Sequence, residues 1–419
     1  MVHFQRVKKG LLVLCFLAAA VLLCAAASAE EARNIAKDCH YKICKGSFRK
    51  MQKLYDGDYE TWWESGKRKD PWLEVTLPEG EKCTGVQIKW HTVNPGWRVE
   101  VEDGNGGWVS AGGFEGNYLH TWTPLDHVSR FRIAASTKVA RTLRILELEV
   151  YSEGELPASV QRWQPTVEKA DLLVVVAHPD DEYIFLGAVI PYYAGERKKD
   201  VLVSYVTESS YERRAELLDG LWTAGVRTYP LIGKFHDRFT YELNEAYRRD
   251  GKNRHQNYMI EVFRHYKPDV VVTHDINGEY GHGMHKLSAD VVINALKKSG
   301  SPKYHKESYK AYGGWDVPKC YIHLYGKDQV RFDWKGMKLD AFGGKTAFEV
   351  ADAAWQCHTS QYRKGKYEVY TEGPYDSQVF GLYRSRVGAD ALHGDFFENL
   401  PEKGTSAESG GGEAPGAQN

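Results

Sequence analysis

Two short stretches of the chain concentrate the side chains that bind metals and move protons. In the first, His178 and Asp181 are three residues apart, and in the second His282 and His285 have the same spacing. One turn of the chain can therefore direct each pair towards a single cation. Imidazole nitrogens and carboxylate oxygens are the ligands that zinc accepts in catalytic sites. The two stretches together predict one shared metal centre.

Each stretch directly follows a run that predicts a buried strand of a parallel sheet. Residues 172–177 are aliphatic or alanine, and residues 269–273 include three consecutive valines. In open α/β sheets, ligands bind beyond the carboxyl ends of the strands. Taken alone, the first stretch also fits a turn in which Pro179 ends the strand and Asp180 or Asp181 caps a helix. The second stretch favours the shared site.

These two motifs resemble those of a known enzyme family. The segments Ala177-His-Pro-Asp-Asp-Glu182 and Gly278-Glu-Tyr-Gly-His-Gly-Met-His285 are similar to the motifs of the PIG-L or LmbE-like, zinc-dependent N-acetylglucosaminyl deacetylases. The resemblance covers roughly residues 169–400. It departs from the family at Gly283-Met284, where the family usually has Pro-Asp. Both histidines of the second motif remain in place.

The resemblance implies a role for each residue of the site. The zinc ligands would be His178, Asp181 and His285, and iron(II) would accept the same set. Asp180 would be the general base, and His282 would stabilise the charge of the intermediate or protonate the departing amine. Further residues are expected to orient the ligands or touch substrate: Glu182, Arg213, His274, Asp275, Asn277, Glu279 and His358.

The order of elements predicts two domains. Strands alternate with helices over residues 169–400, which predicts an α/β, Rossmann-like parallel sheet with right-handed crossovers. Residues 34–152 contain short alternating strands between turns, which predicts an all-β jelly-roll sandwich. We expect residues 153–168 to form a linker and residues 401–419 a disordered tail.

The predicted sandwich resembles the discoidin group of galactose-binding-like domains. The resemblance rests on Leu54-Tyr-Asp-Gly-Asp58, on the tryptophans that follow, and on the last strand, residues 145–151. It implies a structural calcium at Asp56 and Asp58, with a plain polar turn as the alternative. Such domains often bind cell-surface glycans. The candidates for stacking on a sugar are Trp62, Trp63, Trp97 and Trp108, each of which could instead belong to the core.

The N-terminus and the composition indicate where the protein works. Residues 1–29 have the basic start, apolar stretch and small-residue end of a signal peptide, which predicts a secreted or cell-surface protein. An uncleaved anchor is the alternative, and no later segment is long and apolar enough to span a membrane. The net charge of −1 argues against nucleic acid as a partner.

An oxidising compartment would also permit disulfide bonds between the cysteines that follow the signal. The pairings we consider are Cys39 or Cys44 with Cys83, and Cys320 with Cys357. With five cysteines, at least one is left unpaired.

The function that these patterns favour is hydrolysis of an acetamide by an exported zinc enzyme. The substrate would be a glycan or glycoconjugate that contains N-acetylglucosamine, and the products would be acetate and a free amine. One alternative is a zinc amidase that cleaves another amide conjugate. The other is a catalytically inactive, glycan-binding surface protein. Substrate profiling separates these possibilities, whereas the residue pattern does not.

Overall fold

The chain folds into two compact units. The computed structural model describes residues 30–44, 50–93, 96–113, 118–135 and 140–401. The predicted signal peptide and residues 402–419 of the predicted tail lie outside these ranges. Of the described residues, those up to Gln161 belong to one unit and those from Arg162 onwards to the other. The division falls within residues 153–168, the predicted linker.

The first unit contains two antiparallel sheets. Within the described residues its strands are β1 (His40–Ile43), β2 (Trp63–Glu64), β3 (Trp72–Thr76), β4 (Cys83–Trp90), β5 (Trp97–Glu102), β6 (Trp108–Gly113), β7 (His120–Val128), β8 (Arg130–Ala135) and β9 (Arg144–Ser152). One sheet has the order β1-β3-β8-β5-β6 and the other β2-β9-β4-β7. These strands confirm the predicted β-rich unit with antiparallel pairing.

Alternating apolar residues build the core between these sheets. Leu73 and Val75 of β3 are fully buried, and the rings of Trp90 and Trp97, from different sheets, lie 5.0 Å apart. Trp63 and Trp97 are buried, so of the two alternatives given for them the structure favours a place in the core over stacking on a sugar. Aromatic side chains each bury a large apolar area and therefore fill much of a sandwich interior.

The second unit is built on a six-stranded sheet. Within the described residues its strands are β10 (Leu172–Val176), β11 (Val201–Tyr205), β12 (Val270–Thr273), β13 (Lys319–His323), β14 (Gln329–Arg331) and β17 (Val379–Ser385), with β15 (Lys338–Leu339) and β16 (Lys345–Thr346) as a separate pair. The helices are α1 (Asp181–Ile184), α2 (Tyr211–Thr223), α3 (Leu243–Tyr247), α4 (Lys252–Tyr266), α5 (Gly283–Lys298), α6 (Lys306–Tyr312), α7 (Ala347–Gln356) and α8 (Thr359–Tyr362).

The sheet is mixed, which corrects the prediction of a wholly parallel one. Its order is β11-β10-β12-β13-β17-β14, and the first four strands are parallel whereas β17 and β14 pair antiparallel. The parallel part contains the strands that precede both motifs. Leu172 pairs with Val270 and Val175 with Thr273, so β10 and β12 end side by side. The two motifs therefore start at the same edge, as predicted.

The segment that follows the first motif, residues 183–194, does not form one continuous helix. Helix α1 ends at Ile184, and the chain turns before a π-helix spanning Pro191–Glu196. Gly187 lies in this turn with φ of +58°, and a Cβ atom there would meet Ser377 Oγ at 2.4 Å. Ser377, which lies shortly before β17, therefore packs so closely against this turn that position 187 needs a residue without a side chain.

The predicted disulfide bonds are not formed. All five cysteines of the described residues, Cys39, Cys44, Cys83, Cys320 and Cys357, are free. Cys320 is fully buried on β13, and the Cys357 thiol donates a hydrogen bond to the Ala353 carbonyl. The Cys320 thiol is thus enclosed at its strand, and the Cys357 thiol bonds within its own stretch of chain. The two therefore do not form the second proposed disulfide bond.

A buried ion pair fixes the C-terminal segment to the sheet. Lys319 Nζ lies 2.6 Å from Asp390 Oδ1 and donates to the Glu398 carbonyl at 2.9 Å. Tyr321 also donates to the Asp390 carboxylate. Both partners of the pair are completely buried, so neither charge can be solvated if the other is lost.

We expect Lys319→Met to lower the free energy of unfolding by about 3–5 kcal/mol, because it leaves the Asp390 charge buried without a cation. Lys319→Met/Asp390→Asn should be more stable than the single variant. Urea unfolding followed by tryptophan fluorescence measures both. The control is Lys327→Met at an exposed pair with Asp328, which should change little. Equal effects of Lys319→Met and Lys327→Met would contradict this account.

Candidate active site

The structure brings the three predicted metal ligands together. His178 follows β10, Asp181 begins α1, and His285 lies in the first turn of α5; all three are buried. His178 Nδ1 is 3.1 Å from Asp181 Oδ2, and His285 Nε2 is 3.4 Å from Asp181 Oδ1. Ligand atoms of His178 and His285 also lie within 4.8 Å of each other. One cation could contact all three.

An orphaned nitrogen indicates where such a cation would bind. His285 Nδ1 faces Glu279 Oε2 at 2.8 Å, whereas its Nε2 is buried without a hydrogen-bond partner. Since the carboxylate fixes the proton on Nδ1, the Nε2 lone pair points into the site. A buried lone pair with no donor is costly unless a metal takes it. The donor set of two imidazoles and one carboxylate fits a catalytic zinc.

His274 lies beside this centre, but its lone pair is already used. Its Nε2 accepts the backbone N–H of Ala177 at 3.0 Å, and its Nδ1 faces Glu279 Oε2 at 2.7 Å. Ligand atoms of His274, Asp181 and His285 are also within 4.8 Å of one another. Because Ala177 must donate to an unprotonated Nε2, we assign His274 to supporting the strand edge instead of binding metal.

Glu279 holds three imidazoles from different elements. Its Oε2 faces His274 and His285, and its Oε1 faces His323 Nδ1 at 2.6 Å. The carboxylate also accepts the Asp275 N–H at 3.1 Å. Burial opposes its charge, but the histidines hold the pKa of Glu279 well below its usual value. Glu279 thus orients a ligand, as the sequence suggested, whereas His323 was missed.

Asp180 is held in an unusual conformation beside the ligands. Its backbone φ angle is +120°, which residues other than glycine rarely adopt. Its N–H donates to Glu182 Oε2 at 2.8 Å, and its Oδ2 lies 2.8 Å from Arg213 Nη2. Burial raises the pKa of Asp180 to about 6, against the opposing effect of Arg213. The Asp180 carboxylate lines the same cavity as His178 and Asp181 and can accept a proton there.

Glu182 helps to hold Asp180 in place. It is fully buried, and its Oε1 accepts the Tyr205 hydroxyl at 2.7 Å and lies 3.2 Å from His358 Nε2. His358 is also fully buried and is therefore a supporting group rather than a contact for substrate. Glu216, on the same helix as Arg213, accepts hydrogen bonds from Thr359 and Ser360 and so fixes the turn after His358.

His282 faces the same space as a neutral ring. Its Nδ1 accepts the Met284 N–H at 3.2 Å, so the remaining proton is on Nε2. Burial and the neighbouring His285 and His178 lower its pKa to about 3. Of the two predicted roles, this favours donation of a hydrogen bond to a developing negative charge over that of a cationic acid.

Five of these groups, His178, Asp180, Asp181, Arg213 and His282, line a small open cavity of about 130 Å³. Its lining adds residues that the sequence had not assigned to the site, among them Asp237, Tyr280 and Tyr367. Asp237 Oδ1 lies 3.0 Å from His178 Nε2. Asp237 follows Phe235, which forms an isolated parallel bridge with Thr207 just beyond β11, and a carboxylate after such an extended segment is the signal that could have pointed to it. Gln361 also lines the cavity.

Two predicted residues shape the loop and do not line the cavity. The Asp275 carboxylate accepts the Asn277 N–H at 3.1 Å, which closes a local turn. The Asn277 side chain is exposed and donates to the same carboxylate at 3.4 Å. Their polar groups stabilise the turn that leads into Glu279.

Comparison with known proteins identifies the family. The family model for PIG-L, GlcNAc-PI de-N-acetylase, matches residues 173–296. A 1D-myo-inositol 2-acetamido-2-deoxy-alpha-D-glucopyranoside deacetylase 2 of Saccharopolyspora erythraea is 31% identical over 258 residues, which cover 54% of this chain and 87% of that protein. The chain belongs to the PIG-L family. This membership confirms the prediction of a hydrolase that acts on carbon–nitrogen bonds.

Two further proteins are similar to part of this PIG-L chain. A deacetylase of the same name from Nocardioides sp. is 28% identical over 219 residues, covering 43% of this chain and 70% of that protein. The structure of an N,N'-diacetylchitobiose deacetylase from Pyrococcus horikoshii is 18% identical, covers 46% of this chain and 71% of that one, and has a TM-score of 0.34.

The departure from the PIG-L pattern at Gly283-Met284 has a structural cause. Gly283 donates its N–H to the Thr240 carbonyl at 2.6 Å, and a Cβ atom on it would meet Thr240 Cγ2 at 2.6 Å. A proline at this position would lose the donor and clash. Met284 is fully buried in the core. The change therefore allows a neighbouring segment to pack closely on the second motif.

The predicted calcium ligands of the first unit are engaged in a turn. Asp56 accepts hydrogen bonds from the Asp58 N–H at 3.1 Å and the Thr61 hydroxyl at 2.8 Å, and Asp58 accepts from the Glu60 N–H at 3.0 Å. Glu147 accepts the Gly57 N–H, and burial raises its pKa to about 8. A calcium site at Asp56 and Asp58 stays a prediction.

We expect Glu279→Gln to weaken zinc binding about 10- to 100-fold, because an amide cannot accept from all the donors that converge on this carboxylate. Competition with a chromophoric chelator measures the affinity. Glu307→Gln, at an exposed position of α6, is the matched control. Unchanged zinc affinity in a Glu279→Gln variant with the wild-type circular dichroism spectrum would contradict the assigned role.

Proposed function

We propose that this protein is an exported, zinc-dependent de-N-acetylase whose substrate is a glycan or glycoconjugate containing N-acetylglucosamine. One observation carries the proposal: Asp180, a carboxylate that is not a predicted ligand, lines the same cavity as the predicted ligands His178 and Asp181, and Asp181 lies 3.4 Å from the orphaned Nε2 of His285. A zinc enzyme that hydrolyses an amide uses the metal as a Lewis acid and a side chain as the base for water. The relatives named above are deacetylases of acetamido sugars.

The residues of the cavity divide the reaction between them. His178, Asp181 and His285 would hold the zinc, which supplies Lewis acidity for the acetamide carbonyl and for the attacking water. Asp180 takes a proton from the water as its oxygen bonds to the carbonyl carbon. The Nε2–H of His282 donates to the developing oxyanion. When the carbon–nitrogen bond breaks, the protonated Asp180 returns the proton to the amine, and acetate and a free amino sugar leave.

Arg213 and Glu182 prepare Asp180 for this role. The guanidinium lies 2.8 Å from Oδ2 and favours the ionised form, whereas burial favours the protonated form. A pKa of about 6 suits a group that must accept and then return a proton near neutral pH. The hydrogen bond from the Asp180 N–H to Glu182 keeps the strained backbone in place.

Export and surface glycan binding are further parts of this proposal. The signal-peptide pattern of residues 1–29 supports export. None of the helices in the described parts of the chain has the length and apolar character needed to cross a bilayer. In the first unit, Trp62 and Trp108 remain candidates for glycan stacking, although Trp62 already contacts His91 and Trp108 lies beneath Arg132.

We expect Asp180→Asn to reduce the rate of acetate release from N-acetylglucosaminides about 10²- to 10⁴-fold while zinc remains bound, because the base is lost and the ligands are kept. Asp181→Asn should lose both zinc and activity. Enzymatic assay of acetate, with metal analysis of each purified variant, distinguishes the two. The control is Asp126→Asn, an exposed position of the first unit.

The outcomes separate the alternatives. Zinc bound to wild type without acetate release from any glucosaminide would redirect the proposal to other amides. Wild type that binds no zinc would support the inactive, glycan-binding protein. Equal activity of Asp180→Asn and wild type would remove Asp180 from the mechanism.

A further inference from the structure

An exposed aromatic pair lies at the mouth of the active site. Among the described residues, Phe239 and Tyr241 are the two most exposed aromatic side chains, at 70% and 55%. Their ring centroids are 5.4 Å apart, and that of Phe239 is 5.3 Å from the ring of His282. Neither ring is needed to close the core. An exposed apolar patch with polar neighbours is typical of a ligand-binding surface.

The segment that carries these rings, residues 237–242, is firmly attached to the site. We call it the rim segment. Asp237 faces His178, the Thr240 carbonyl accepts the Gly283 N–H at 2.6 Å, and the Tyr241 carbonyl accepts Lys286 Nζ at 2.8 Å. The two rings are therefore presented by a backbone that is fixed to the second motif. A preformed surface costs little conformational entropy when a ligand binds.

The size of the cavity implies that most of the substrate lies outside it. About 130 Å³ is well below the roughly 300–1,000 Å³ of sites that enclose a small ligand. The cavity can accept the acetamide and the adjoining part of one sugar. The remainder of the substrate must extend over the rim, where Phe239 and Tyr241 are the exposed apolar groups next to His282.

We propose that Phe239 and Tyr241 form a subsite for a second pyranose ring, so that the substrate is an oligosaccharide rather than a single acetamido sugar. The inference rests on the proposed de-N-acetylase function. A sugar presents an apolar face that suits an aromatic ring and hydroxyls at its edge. Arg238, which directly precedes Phe239 in the chain, pairs with Glu245 at 3.0 Å, and both side chains are partly exposed and can serve as partners for hydroxyls.

The same observations disfavour a lipid chain as the occupant. An alkyl chain gains about 0.8 kcal/mol for each buried CH₂ group and needs a long apolar surface to exploit this. The patch is two rings wide, and the residues that precede Phe239 in the chain, Asp237 and Arg238, are charged, with Arg238 paired to Glu245. A pyranose matches both its width and its polar border.

We expect wild type to prefer N,N'-diacetylchitobiose over methyl N-acetylglucosaminide in kcat/KM for acetate release. Phe239→Ala and Tyr241→Ala should each reduce that preference about 10-fold, since each removes an aromatic contact made only by the second ring. Tyr304→Ala, which removes an exposed tyrosine beside Lys298, is the matched control and should keep the preference. Octyl N-acetylglucosaminide is the third substrate and tests the lipid alternative.

Binding provides a measurement that does not depend on turnover. Calorimetric titration of diacetylchitobiose into Asp180→Asn and into Asp180→Asn/Phe239→Ala should show about 10-fold weaker binding in the second protein. Equal binding by these two proteins would overturn the subsite. It would also be overturned if Phe239→Ala and Tyr241→Ala reduced activity towards the octyl glycoside alone and kept the preference for diacetylchitobiose. If wild type releases no acetate from any substrate, the proposed function fails, while weaker binding by the Phe239→Ala protein would still support the subsite.

Discussion

The site depends on one buried carboxylate, that of Glu279. It faces imidazoles that follow β12, begin α5 and end β13, so a single side chain fixes three elements relative to one another. By holding the proton of His285 on Nδ1, it leaves Nε2 directed at Asp181. A surface carboxylate could not do this, because water would compete for each imidazole. Because the Glu279 side chain is completely buried, its contacts with the imidazoles are not exchanged for water, and each ring is held in one orientation.

Much of the site could be predicted because its chemistry is encoded in short stretches. The pairs with a three-residue spacing and the aliphatic runs before them place His178, Asp181 and His285 at one edge of a parallel sheet. The strands β10, β11 and β12 could likewise be predicted, since each is a short and mostly apolar run. Local pattern suffices where a residue's function follows from its neighbours in the chain.

The parts that could not be predicted depend on contacts between distant segments. His323 reaches Glu279 across 44 positions, and Asp237 reaches His178 across 59. The interruption at Gly187 depends on Ser377 and Trp334, and the antiparallel addition of β17 on the course of the whole C-terminal segment. The pairing expected for Cys320 and Cys357 failed for the same reason, because spacing says nothing about what each thiol contacts.

A change within the motif and a segment outside it are physically linked. The family's usual proline at position 283 could not donate to the Thr240 carbonyl and would collide with its side chain, so the glycine admits the rim segment against the second motif. That contact brings Phe239 beside His282 and Asp237 beside His178. This glycine therefore alters the surface that packs beside the second motif and leaves both of its histidines in place.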